Sequence, residues 1–170
     1  MQEKFILIDG NSLMYRAYYA LPLLTNSKGF VTNAIYGFCN MLLKVLEEEK
    51  PTHIAIAFDK GKIVFRHAEY EKYKATRKPM PEELKKQLPV IKELLNAMNI
   101  EIFEMEGYEA DDLIGTLTKK ADDRGLNTII LTGDRDALQL LSPSTKVSLL
   151  KKGFQKWRFI QRKVCIKNTV

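Results

Sequence analysis

The chain repeats one short phrase three times: a few apolar residues followed at once, or nearly so, by an aspartate. It reads Phe5-Ile-Leu-Ile-Asp9, then Ile54-Ala-Ile-Ala-Phe-Asp59, then Thr128-Ile-Ile-Leu-Thr-Gly-Asp134. An unbroken apolar run of this length suits a strand buried on both faces, as in a parallel sheet covered by helices. Residues 100–103 and 146–150 make a fourth and a fifth strand candidate. Helical patterns lie between them at 12–21, 34–49, 82–98, 110–123 and 135–141. Pro81 ahead of Glu82 and Glu83 marks a helix start, and Gly125 marks a stop. The alternation predicts an α/β domain with a mostly parallel central sheet and helices on both faces. Right-handed crossovers gather the strand C-termini along one edge, and the ligand crevice of such folds lies outside that edge.

That edge is where the acids fall. Asp9, Asp59 and Asp134 close three strands, Asp136 follows in the next turn, and Glu109, Asp111 and Asp112 open the helix after the fourth strand. Taken singly, each acid is explained as a cap at a helix N-terminus. Seven carboxylates at one crevice would repel one another without cations, so the set points to bound metal. Hard oxygen ligands suit Mg²⁺ or Mn²⁺, and two such ions can clamp the attacking and leaving oxygens of a phosphodiester. Nothing else in the chain competes for chemistry. His53 and His67 lack ligand or triad spacing, Ser12 and Ser142 lack elbow glycines, and no glycine-rich nucleotide loop is present. A phosphatase of the Asp-x-Asp type is excluded because Asn11 stands two residues after Asp9.

Charge matters only once it is located. The net charge is +6, yet residues 151–170 hold seven bases and no acid, leaving 20 bases against 21 acids in the first 150. The informative patch is local: residues 60–78 carry seven bases against two acids, interleaved with Phe65, Tyr70 and Tyr73. Cations and aromatics directly after an acid-bearing strand suit a phosphate backbone and stacked bases. A solvated charged helix is the alternative. Arg16 and Tyr15 lie within reach of a phosphate near Asp9, although Tyr15 serves equally well as core. Cys39 and Cys165 form no framework, and neither a signal peptide nor a membrane span is visible. A reduced, cytoplasmic protein is expected.

The segments Ile8-Asp-Gly-Asn-Ser-Leu-Met-Tyr-Arg-Ala-Tyr18, Phe58-Asp59, Phe65-Arg66, Tyr73-Lys74, Arg77, Glu109-Ala-Asp-Asp112 and Thr132-Gly-Asp-Arg-Asp136 resemble a known family. It is the flap-endonuclease family, in the form of the 5′-nuclease domain at the N-terminus of bacterial DNA polymerase I. The resemblance covers about the first 152 residues. It implies a PIN-like or resolvase-like fold and Mg²⁺- or Mn²⁺-dependent 5′-3′ exonuclease and 5′-flap endonuclease activity in primer removal and repair. The implied partner is DNA with 5′ flaps or 5′ ends, met by a monomer without a small-molecule cofactor, in a bacterial nucleoid. Asp9, Asp59 and Glu109 would hold a first ion, with Asp111 and Asp112 near both; Asp134 and Asp136 would hold a second. Arg66, Tyr73, Lys74 and Arg77 match the substrate-gripping arch, with Lys74 and Arg77 also at the scissile phosphate, and Arg16 matches a phosphate contact.

After Gly153 the family pattern stops. Its second pair of metal-binding aspartates and its helix-hairpin-helix are absent, and residues 153–170 form a basic tail without turn signals or period. The codons of that tail, shifted by one base, permit an acidic segment ending in Lys-Tyr-Gly, as the family would have. The tail is therefore expected to be a frameshift product that impairs the nuclease. The alternative is a non-catalytic remnant that binds branched DNA weakly or not at all.

Overall fold

A computed structural model of the 170-residue chain describes residues 3–64, 79–150 and 157–160. Strand β1 (Lys4–Asp9) runs straight into helix α1 (Gly10–Ala20), and α2 (Asn33–Glu49) leads to β2 (His53–Ala57) and β3 (Lys60–Val64). Then come α3 (Glu82–Ala97), β4 (Glu101–Phe103), β5 (Glu106–Gly107), α4 (Ala110–Asp123), β6 (Asn127–Thr132), a 3₁₀ helix (Arg135–Leu140), β7 (Thr145–Leu150) and β8 (Trp157–Ile160). Among the described residues the main sheet has the order β4-β2-β1-β6-β7-β8. Every neighbouring pair is parallel except β7 with β8. The expected mostly parallel α/β sheet is present.

Strand alternation sorts the core into two layers. Ile6, Ile8, Ile56, Ile129 and Leu131 pack with Leu13, Met14, Phe38, Met41, Leu84 and Ile91 of α1, α2 and α3. Leu7, Ala55, Ala57, Ile130 and Val147 face the other way, against Ala110 and Ile114 of α4 and Leu138 and Leu140 of the 3₁₀ helix. The chain leaves β1 for the first layer and leaves the adjacent β6 for the second. Such a reversal between neighbouring strands opens a crevice at their C-terminal ends.

The departures from expectation have local causes. Residues 135–141 were expected as an ordinary helix but form a six-residue 3₁₀ turn. Pro143, soon after, cannot extend it, and a segment this short favours the tighter winding. The strand expected at 54–59 ends at Ala57, which leaves Asp59 in the connection to β3. Residues 60–64 pair in parallel with β5 as a small second sheet, so the basic stretch begins as a strand and not as a helix. In the tail, which carried no visible pattern, Trp157–Ile160 pairs antiparallel with the open edge of β7. An unpaired strand edge is a template for any extended segment nearby. The boundary drawn at residue 153 thus separates sequence character, not sheet membership.

Helix α2 takes its N-terminal cap from a distance. The Thr32 side chain makes no capping bond. Instead the fully buried Gln87 of α3 accepts the N–H groups of Ala34 and Ile35 through Oε1, at 2.9 and 3.1 Å. Its amide donates to Asn33 Oδ1 and to the Glu83 carbonyl, both at 3.1 Å. Asn33 in turn donates to the Tyr18 carbonyl at 2.9 Å. One buried amide thereby satisfies helix-end groups that burial would otherwise leave unpaired, and it ties three helices together.

Candidate metal centre

The acids of the C-terminal edge are set by local hydrogen bonding. Asp9 ends β1 and caps α1, its Oδ1 accepting the Ser12 N–H at 2.9 Å. Asp134 caps the 3₁₀ helix through the Asp136 N–H at 2.9 Å. Asp59 accepts the Ala110 N–H at 2.7 Å, at the first residue of α4. Glu109, the residue before it, donates its own N–H to Asp112 Oδ2 at 3.0 Å. Capping is therefore real for Asp9, Asp112 and Asp134, and with the Asp59 bond to α4 it fixes where these carboxylates stand. Asp9 and Glu109 are buried, each 6% exposed, whereas Asp59, Asp111 and Asp136 are exposed.

Phe58 carries the chain from β2 to Asp59. Its N–H donates to the Phe103 carbonyl at 2.9 Å, and its ring stacks on Phe38 with Lys92 Nζ 5.5 Å from its centroid. Lys92 is itself paired with Glu104. The Phe58 ring also meets Gly10, where a Cβ would fall 2.5 Å from two ring carbons. The glycine after Asp9 lets α1 start against this ring, and so brings Asp9 and Asp59 to one crevice.

A cleft of about 1300 Å³ runs along this edge, beyond the roughly 300–1,000 Å³ of a small-molecule pocket. Asp9, Asp59, Glu109, Asp111 and Asp134 all line it; Asp112 and Asp136 do not. Arg16, Tyr15, Tyr19, Lys85 and Arg135 also line it, and of these only Tyr15 and Arg16 were singled out from the sequence. Lys85 and Arg135 look like ordinary helix-surface cations in the sequence, and only the topology turns them to the crevice. Arg66, Tyr73, Lys74 and Arg77 lie outside the described residues.

Among the described residues, Asp9, Asp59 and Asp134 bond only to backbone N–H or hydroxyl donors and enter no ion pair. No three acids, histidines or cysteines among the described residues form a ready-made ion site. The donor set is nonetheless all hard oxygen, the chemistry that Mg²⁺ and Mn²⁺ take and softer metals do not need.

Fold and crevice together define a mostly parallel α/β domain with an acidic cleft at its topological switch point. The chain belongs to the 5′-3′ exonuclease family, as its N-terminal resolvase-like domain: the family model matches residues 4–169. It is 53% identical over 153 residues to DNA polymerase I of Caldicellulosiruptor bescii, a match covering 90% of this chain and 18% of that one. Against DNA polymerase I of Bacillus subtilis the identity is 51% over 152 residues, or 89% and 17% of the two chains. The chain thus spans under a fifth of these polymerases. The fold is also that of T5 5′-exonuclease with bound zinc, at TM-score 0.71 and 21% identity over 98% of this chain and 60% of that one. A bacteriophage T5 flap endonuclease in a pseudo-enzyme-product complex with DNA and metal ions gives TM-score 0.73 at 18% identity, over 94% and 58%. Among the described residues no helix is long and apolar enough to cross a membrane.

Proposed function

We propose that this domain is a divalent-metal-dependent 5′-3′ exonuclease and 5′-flap endonuclease acting on DNA during primer removal and repair. The observation that carries this reading is the convergence of Asp9, Asp59, Glu109, Asp111 and Asp134 on one cleft in a chain of this nuclease family. The relatives that bind metal ions and DNA lend it support, as does the size of the cleft.

Asp9, Asp59 and Glu109 would hold one ion and Asp134 with Asp136 another, with Asp111 and Asp112 near both. Two ions of Mg²⁺ or Mn²⁺ would supply Lewis acidity to the scissile phosphate and to the attacking water. The chain's own part is to hold the carboxylates in place through their caps and to meet the phosphate backbone with Arg16, Lys85 and Arg135 on the cleft wall. Lys74 and Arg77 complete the phosphate grip in this reading, with Arg66 and Tyr73 holding the strand.

Incubation with a 5′-flap DNA and Mg²⁺ or Mn²⁺, beside an Asp134→Ala control, tests the proposal. Flap removal should stop on chelation and fall about 10²-fold or more in the variant, the scale of one lost electrostatic contact to a transition state. Activity that survives the substitution indicates a contaminant or a wrong site. A second reading is a non-catalytic remnant that binds branched DNA weakly or not at all. Flap DNA bound but uncut by a folded sample would select that reading. The origin of residues 153–170 in a shifted reading frame is a separate proposal, and an intact frame in the gene sequence would refute it.

A further inference from the structure

Asp9 and Asp134, placed above at different ions, are joined through one buried hydroxyl. Thr132 Oγ1 donates to Asp9 Oδ2 at 2.8 Å and accepts the Asp134 N–H at 3.0 Å. Thr132 is the last residue of β6 and is 1% exposed. The parallel register pairs Ile8 with Leu131, so Thr132 and Asp9 are the next residues along the two strands. Their meeting follows from the ladder and is not an accident of side-chain reach.

A threonine hydroxyl has one proton to give, and here that proton is committed to Asp9. Its oxygen accepts from a backbone group that cannot swing away. The branched Cβ further restricts rotation about χ1. On the other side of the bond, Asp9 receives the Ser12 N–H on Oδ1 and the Thr132 hydroxyl on Oδ2. Each carboxylate oxygen is pinned by one donor, from opposite sides of the switch point, and each keeps acceptor capacity for a cation.

We propose that Thr132 is a positioning residue. It locks the Asp9 carboxylate and the Asp134 backbone into one hydrogen-bonded unit, so that a divalent ion reaching the crevice meets Asp9 already oriented. The inference rests on the metal-dependent reading above. Hydrogen-bond partners behind a metal ligand commonly govern affinity by 10- to 100-fold. The Thr132→Val variant keeps the side-chain shape and removes the hydroxyl, whereas Thr132→Ser keeps the hydroxyl.

The test is a Mn²⁺ titration of the whole chain followed by electron paramagnetic resonance, with no DNA present. We expect Thr132→Val to bind Mn²⁺ roughly 10- to 100-fold more weakly and Thr132→Ser to recover most of the affinity. Wild-type and Thr132→Val chains that bind equally well would overturn the role of Thr132 and leave the metal reading standing. Equal weakening in both variants would assign the effect to packing and overturn it too. A wild-type chain that binds no Mn²⁺ would remove the metal reading and this inference together. Hydrogen exchange of the metal-free wild type needs no variant to fold: the Asp134 amide should be protected, and exchange at an open-loop rate would dissolve the bridge.

Discussion

An ideal Cβ on Gly10 would lie 2.5 Å from Cε1 and Cζ of Phe58. In an ordinary helix, glycine to alanine gains up to about 1 kcal/mol. Here the added methyl must displace a fully buried ring stacked on Phe38, and overpacking of a core costs about 1–3 kcal/mol. The steric term is the larger, so Gly10→Ala should destabilise the domain, as read from urea unfolding. A gain in stability would show that the ring yields freely. A second residue sets a pH dependence. Asp122 accepts the hydroxyls of Ser144 at 2.7 Å and Thr145 at 2.8 Å. Burial pushes its carboxyl up, but the hydroxyls of Ser144, Thr145 and Ser142 and the charge of Lys119 outweigh it and hold the group below its ordinary value. A depressed folded value means the contribution is whole above the unfolded value of about 3.9 and is lost as pH falls through the folded one. Asp122→Asn should therefore lower stability near pH 7 by about 1–2 kcal/mol. It should also flatten the acid limb of a stability-against-pH curve, and an unchanged limb would discount the hydroxyls.

Between elements, the decisive contacts are those that close a helix or a sheet edge. Gln87 does for α2 what Thr32 does not. Gln87→Leu would preserve bulk while stripping the Ala34 and Ile35 backbone amides and the Asn33 side-chain Oδ1 of their partner. The expected loss is about 2–4 kcal/mol, seen as a lower urea midpoint with faster amide exchange at Ala34 and Ile35. Normal protection at those two amides would mean that another group caps the helix. Sequence pattern could not have suggested Gln87, since a polar residue on a helix reads as surface. The four α-helices and the strands with strong apolar periodicity were legible for the opposite reason: burial of one face imposes a repeat that neighbouring residues must carry. The exceptions are β3, β5 and β8, which are short or basic. Their strand form comes from a partner's open edge, not from any period of their own.

For the whole molecule, five carboxylates, from buried Asp9 and Glu109 to exposed Asp59 and Asp111, converge on one cleft with no ion pair at Asp9, Asp59 or Asp134 among the described residues. On the proposed metal-dependent reading, Mg²⁺ at about 100 times its dissociation constant should add about 2.7 kcal/mol. Thermal unfolding with Mg²⁺ and with chelator measures this, and identical midpoints would count against the reading. The net basic charge of the chain has little bearing on this balance, because all of its excess lies beyond residue 150.

The amino-acid sequence alone determined the alternation of strands and helices, the placing of acids at strand ends, and the family those motifs match. All of these are local properties: a period of two or 3.6 residues, or a few side chains in a row. Only the tertiary structure decided which acids share a wall. It placed Asp111 on the cleft and Asp112 off it, and it added Lys85 and Arg135. It also joined Thr132 to Asp9 across 123 residues and Gln87 to Ala34 across 53. A hydrogen bond across such a span leaves no trace in spacing, because its partners are brought together by strand order and crossover direction, which the core as a whole selects.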